Sequence, residues 1–210
     1  MMVFLKHDLV FLATPKTGTT ALEAALRPHC SIDVKDPPGA RHMAARRYRN
    51  HWQPLLGKLH KFDGETMAVL REPVSWLRSW YKYQRRDWLK GKPRSTLELS
   101  FDQYVEGILA PDPPEFAMAG SQHYFATGKK GRILVDHLFI YEDYARPIAF
   151  IEKKLGTTLD MQRRNVSPEV DAPLSPDLLA ELRRVRSPEF ELYESVAQTG
   201  HLVTPNAGRD

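Results

Sequence analysis

The chain has 210 residues, 42% of them hydrophobic and 27% charged, an ordinary balance for a folded protein with one sizeable core. Its formal charge of +4 (30 Lys and Arg, 26 Asp and Glu) is too small for a general nucleic-acid binder, yet it suits a pocket for an anionic ligand. Cys30 is the only cysteine, so no intrachain disulfide forms, and no apolar run reaches the roughly 18–20 residues of a membrane span. The expectation is a cytoplasmic protein.

The opening stretch, MMVFLKHDLVFLATP, has Lys6, His7 and Asp8 inside its apolar residues and no small-residue cleavage site. It reads as the first strand of the domain rather than as a signal peptide. Residues 8–14 are the buried strand itself, and residues 18–27 form a helix that Pro28 ends. SIDV (31–34) reads as a short second strand and KDPPGAR (35–41) as a loop. Residues 42–56 suit one helix or two, broken near Pro54, and TMAVLR (66–71) is a third strand. The segment 72–89 opens with proline at the first helical position and continues with helical spacing.

Further on, residues 90–96 read as a loop, 100–109 as a serine-capped amphipathic helix and 110–116 as another loop. SQHYFA is helical, HLFIY (137–141) is a strand, and 142–156 is a helix closed by Gly156. Residues 161–175 are mostly loop, and two amphipathic helices follow, each opened by a Ser-Pro pair. No repeat or long linker interrupts this alternation. It predicts a single α/β domain over 1–210, built in three layers around a mostly parallel central sheet, with a P-loop-like strand-turn-helix at the start.

That first turn, TPKTGTT, carries the chemistry. The first N–H groups of a helix lack internal partners and sit at the positive end of its dipole, so a strand-turn-helix junction binds phosphate or sulfate. Gly18 lets the backbone approach the anion, Thr17, Thr19 and Thr20 offer hydroxyls and N–H groups, and Lys16 adds a full charge. The pattern is not G-x-x-x-x-G-K-[ST], because the lysine precedes the only glycine. Thr-capped helices without a ligand also look like this.

PKTGTT resembles the 5′-phosphosulfate loop of sulfotransferases that use 3′-phosphoadenosine-5′-phosphosulfate (PAPS). The family's second motif is an arginine ending a later strand with a serine eight positions on. Here VLREPVSWLRSWY supplies Arg71 and Ser79. LFIYEDYARPIAFIEKKLG and RRNVSPE are similar in order to bacterial and Golgi-type carbohydrate sulfotransferases, while residues 86–130 are little covered. The resemblance implies that Lys16 stabilises the leaving oxygen and that Thr17, Gly18, Thr19 and Thr20 hold the 5′-phosphate. It implies that Arg71 and Ser79 hold the 3′-phosphate and that no metal is required. Ala21 stands where some members place an adenine-stacking tryptophan, so adenine falls to another group, with the Arg163–Arg164–Asn165 loop, Arg164 above all, as the candidate.

Transfer to a hydroxyl needs a base, and His42, at the start of a helix after the second strand, is the first candidate; His51, His60, Glu65 and His123 are alternatives. Arg41, Arg46, Arg47 and Arg49 are positioned to meet an acidic acceptor, and YKYQRRDWLKGKPR adds further cations with interleaved aromatics. Trp76 and Trp80 fit the core, and Trp88, near a loop, fits a ligand site. The leading expectation is a PAPS-dependent sulfotransferase acting on a hydroxyl of a carbohydrate, lipid or small metabolite. A small ATP-using kinase, a non-catalytic module that binds PAPS or its product, and a lipid-headgroup protein at a membrane surface stand as alternatives. Acceptor and oligomeric state stay open.

Overall fold

The computed structural model describes residues 1–161 and 171–208. The first apolar stretch is a hairpin rather than one strand: β1 (Met2–Phe4) and β2 (Leu9–Phe11) pair antiparallel, Val3 opposite Val10. Lys6 and His7 lie in the connecting turn, and Asp8 at φ 47° closes it. α1 (Thr19–Leu26) follows and passes into a single 3₁₀ turn that contains Pro28. β3 (Ile32–Asp33) is where SIDV was expected to pair.

Two expectations need correction here. KDPPGAR is not all loop, because Pro38 starts a one-turn helix, α2 (Pro38–Arg41). Pro54 also breaks nothing. α3 (Ala45–Arg47) widens into a π turn over Tyr48–Trp52, and α4 (Gln53–His60) then begins with Pro54 in its first turn. The ring sits directly after the π turn, where Gln53 N–H still bonds back to the Tyr48 carbonyl and the ladder is locally re-registered around a residue that lacks an N–H.

β4 (Glu65–Leu70) leads into α5 (Pro73–Gln84), shorter than the expected 72–89 segment. Glu72 caps α5 by accepting from the N–H groups of Val74 and Ser75. α6 (Phe101–Leu109) carries a full capping box between Ser100 and Gln103, and α7 (Gln122–Ala126) is capped by Ser121. β5 (His137–Ile140), α8 (Ala145–Leu155), α9 (Pro176–Val185) and α10 (Ser187–Ala197) lie where the spacing places them. Gly156 ends α8 at φ 67°. β6 (His201–Val203) has no counterpart in the sequence reading.

The strands form one sheet in the order β3-β1-β2-β4-β5-β6. β2, β4 and β5 are parallel neighbours at its centre, β3 runs the same way, and β1 and β6 run against them. Alternate residues of β4 go to opposite faces, as the pleat requires. Met67 and Val69 pack with Leu22 and Leu26 of α1 and Ile151 and Leu155 of α8. Ala68 and Leu70 pack with Tyr48, Leu56, Phe125 and Val196 from the helices of the other face. These are the expected layers of an α/β fold. A further cluster joins α5, α6 and α9 through Trp76, Tyr81, Tyr104 and Leu182.

Candidate functional site

In an open α/β sheet, ligands bind beyond the carboxyl ends of the parallel strands. The chain leaves β2 there through Leu12–Gly18 and enters α1. Two residues of this turn adopt left-handed backbone, Lys16 at φ 65° and Gly18 at φ 72°. Gly18 is required twice over: its φ suits glycine, and a Cβ would meet the Tyr141 ring at 3.0 Å and the Tyr144 hydroxyl at 3.2 Å. No side chain caps α1, so its first N–H groups face outward beside the exposed Gly18 and Thr20.

The threonines divide. Thr17 is fully buried, and its hydroxyl donates to the Thr14 carbonyl at 2.9 Å, so the side chain braces the turn and only its N–H is left for a ligand. Thr19 is nearly buried and Thr20 is exposed. Trp76, expected simply in the core, also holds the turn: its indole N–H donates to the Pro15 carbonyl at 2.8 Å. Thr14 Oγ1 and Tyr144 Oη are buried beside the turn with no hydrogen-bond partner among the described residues.

Lys16 and Arg71 come together from separate parts of the chain. Arg71 follows β4. Its Nε donates to Ser75 at 2.9 Å, its Nη1 donates to the Lys16 carbonyl at 3.3 Å, and its guanidinium lies 4.5 Å from the centre of the Tyr141 ring. Burial lowers its proton affinity. Ser75 is thus the α5 serine that meets Arg71, and Ser79, expected beside Arg71 at the 3′-phosphate, sits one turn further along α5 and is buried. Gln122 of α7 fixes the Arg71 backbone on both sides, accepting from its N–H and donating to its carbonyl at 2.8 Å each. Glu189 in turn accepts from the Gln122 N–H at 2.5 Å.

The Lys16 ammonium rests 4.2 Å from the centre of the Tyr83 ring and 5.6 Å from that of Trp80. Its pKa is lowered to about 8, first by burial, then by the Arg86 and Arg71 charges. Arg86 lies over the same Tyr83 ring at 4.8 Å. Among the described residues, none of these three cations forms an ion pair. Glu142 and Glu72 act on Arg71 from beyond ion-pairing distance, and the three cations together suit an anion.

His42 lies on the other side of the turn. Its Nδ1 is 2.8 Å from the Ala13 carbonyl, which only accepts, so Nδ1 carries the hydrogen and Nε2 keeps its lone pair. Burial lowers its pKa, which favours the neutral ring. The charges acting on it are those of Arg41, Glu23 and the amino terminus, whereas Arg86 and Arg71 act on Lys16. The two residues flank one loop but answer to different charge sets. Of the alternative bases, Glu65 is at the wrong end of β4, roughly 20 Å from Arg71 at strand rise, and is paired with Lys154. His51 and His60 are exposed on the π turn and α4.

Two of the four arginines expected to meet an acidic acceptor are spoken for. Arg41 pairs with Glu23, and Arg49 is buried against Asp136 at 2.7 Å with Thr66 beside them. Arg164 and its neighbours lie outside the described residues. Sequence reasoning missed Gln122, Glu189, Tyr83 and Arg86. Only Arg86 carried a signal, as one of many cations after Ser79.

No family model matches this chain, and no curated protein matches it. Among solved structures it is similar to a sulfotransferase from Alicyclobacillus acidocaldarius, with 16% sequence identity over 97% of this chain and 98% of that one and a TM-score of 0.47. A likeness at that level says nothing of activity, which has to come from the side chains.

Proposed function

We propose that this chain transfers a sulfuryl group from PAPS to an acceptor hydroxyl. The observation that supports it is the convergence of Lys16 and Arg71, neither in an ion pair among the described residues, on an uncapped helix start whose Gly18 has no room for a Cβ. This geometry suits a ligand with two anionic ends. The N–H groups from Thr17 to Thr20 hold the 5′ end, and Arg71, with the Ser75–Ser79 face of α5, holds the 3′-phosphate.

Lys16 neutralises charge on the oxygen that leaves as the S–O bond breaks. Its lowered pKa makes the proton easy to share with that oxygen. His42 is assigned the acceptor's proton, taken at Nε2 as the new S–O bond forms. Rate then comes from alignment and charge stabilisation. His42→Asn is expected to lower turnover at least about 100-fold with bisphosphate affinity kept; loss of affinity instead would remove the base assignment.

Calorimetry tests the nucleotide site directly, with adenosine 3′,5′-bisphosphate against ATP and AMP, without magnesium. Bisphosphate is expected to bind best, and Arg71→Ala and Lys16→Ala to weaken it by about 10- to 100-fold. Absence of binding, or preference for magnesium-ATP, refutes the transferase reading and favours a kinase. Tight binding with no turnover on any hydroxyl acceptor leaves a non-catalytic sensor of the nucleotide.

A further inference from the structure

Arg71 and Arg86 flank Lys16 differently. Arg71 touches the backbone of Lys16, at its root. Arg86 shares with the Lys16 ammonium the Tyr83 ring, at the tip of the side chain. Those two charges therefore sit within about one Debye length, with nothing negative in ion-pairing distance among the described residues. A donor with two anionic ends accounts for the loop, Lys16 and Arg71. It leaves Arg86 without a counter-charge.

Beyond Arg86 the surface continues in the same style. Trp88 stands edge-on to Tyr83 with ring centres 5.9 Å apart and is 54% exposed. Lys92 lies over Trp88 at 5.6 Å. Asp87, exposed between Arg86 and Trp88, is the one carboxylate of this turn. Exposed indole beside unneutralised cations suits neither a neutral polar ligand nor a purely greasy one. Lys16 and Arg86 already lie over the Tyr83 ring, and Trp88 stands at 78° to it, so a flat ring gains area on the exposed Trp88 indole, and an anionic substituent gains a charge-assisted contact with Arg86.

The geometry points to an acceptor that is itself an anion: a hydroxyl compound with a flat apolar face and a carboxylate-class group, seated on Trp88 with its charge on Arg86. This rests on the reading of Lys16 as the group at the breaking bond. The negative substituent sits next to the transfer point, so Arg86 also offsets its repulsion with the incoming sulfuryl group.

The test uses the full chain saturated with adenosine 3′,5′-bisphosphate and two probes, 6-hydroxy-2-naphthoate and 2-naphthol, titrated by calorimetry. Hydroxynaphthoate is expected to bind about tenfold or more tighter than naphthol. Arg86→Gln brings the two within about twofold, Arg86→Lys keeps part of the preference, and Trp88→Ala weakens both probes alike. Equal binding of the two probes, binding of neither, or a preference untouched by Arg86→Gln overturns the inference. So does an Arg86→Gln loss of bisphosphate affinity as large as its loss of hydroxynaphthoate affinity, since Arg86 then belongs to the donor. Failure of the wild type to bind bisphosphate at all is a different result, and it removes the transferase reading itself. The Arg86 side chain makes no hydrogen bond among the described residues, its backbone bonds to Tyr83 and Leu89 being kept in any variant, so an unchanged thermal midpoint shows that its variants fold.

Discussion

Lys16→Met separates stability from function. Burial and the Arg86 and Arg71 charges hold the folded pKa of Lys16 near 8, against 10.5 for an ordinary lysine. A folded pKa below the unfolded one means that the unfolded chain holds the proton more tightly. The protonated lysine therefore destabilises the fold at pH 7, by about 3 kcal/mol from linkage. Its contacts with Tyr83 and Trp80 return about 1 kcal/mol, which methionine recovers only partly. Methionine keeps the stem and the left-handed backbone cost unchanged. The variant is then more stable at pH 7 by about 1–2 kcal/mol, or a midpoint higher by roughly 3–6 °C for a chain of this size.

The difference depends on pH with a definite sign. Wild type gains stability as pH rises from about 8 toward 10.5, because the folded protein has already released the proton that the unfolded chain keeps. The change amounts to about 2 kcal/mol between pH 7 and 9.5, enough to close the gap between the two proteins. Urea unfolding at both values measures it, and added bisphosphate should stabilise wild type far more than the variant. A variant less stable than wild type at pH 7, or a gap that stays constant to pH 9.5, refutes the claim that Lys16 is held charged at a cost.

Other expectations follow from single contacts. Gly18→Ala places a Cβ against Tyr141 and Tyr144 at a positive φ, so it should lose about 1–3 kcal/mol in urea and most bisphosphate affinity; an unchanged variant means the turn is free to rearrange. Gln122→Ala strips both bonds from the Arg71 backbone and is expected to cost about 2–3 kcal/mol, with bisphosphate affinity falling several-fold although Gln122 touches no ligand. Unfolding and calorimetry on the same sample read both effects. Arg49→Met leaves Asp136 buried without its guanidinium and should lose about 3–5 kcal/mol, yet spare bisphosphate affinity, since this pair lies at the opposite end of β4 from Arg71.

Sequence alone determined what short-range physics decides. The β2 apolar run, the turn at Lys16–Gly18 and the start of α1 follow from neighbours within a few residues. So do Pro73 at the head of α5, the Ser100–Gln103 box and the left-handed Gly156 after α8. In each, the deciding contact is a helix cap or a backbone angle, which the adjacent residues set by themselves. Lys16 and Arg71 were legible as candidate anion ligands for the same reason, since each ends a strand or sits in the turn that follows one.

Only the tertiary structure decided the rest. β1 and β6 are antiparallel strands whose identity depends on what lies beside them in the sheet, and their own residues do not name that partner. Thr17 looked like a ligand hydroxyl until the fold aimed it at the Thr14 carbonyl. Gln122 lies 51 positions from the arginine it fixes, and Tyr83 meets Lys16 from the far end of α5. No local pattern encodes such pairs. The sheet order brings α5 and α7 to the mouth of the β2 turn, and that placement determines which cations stay unpaired and so where an anion is wanted.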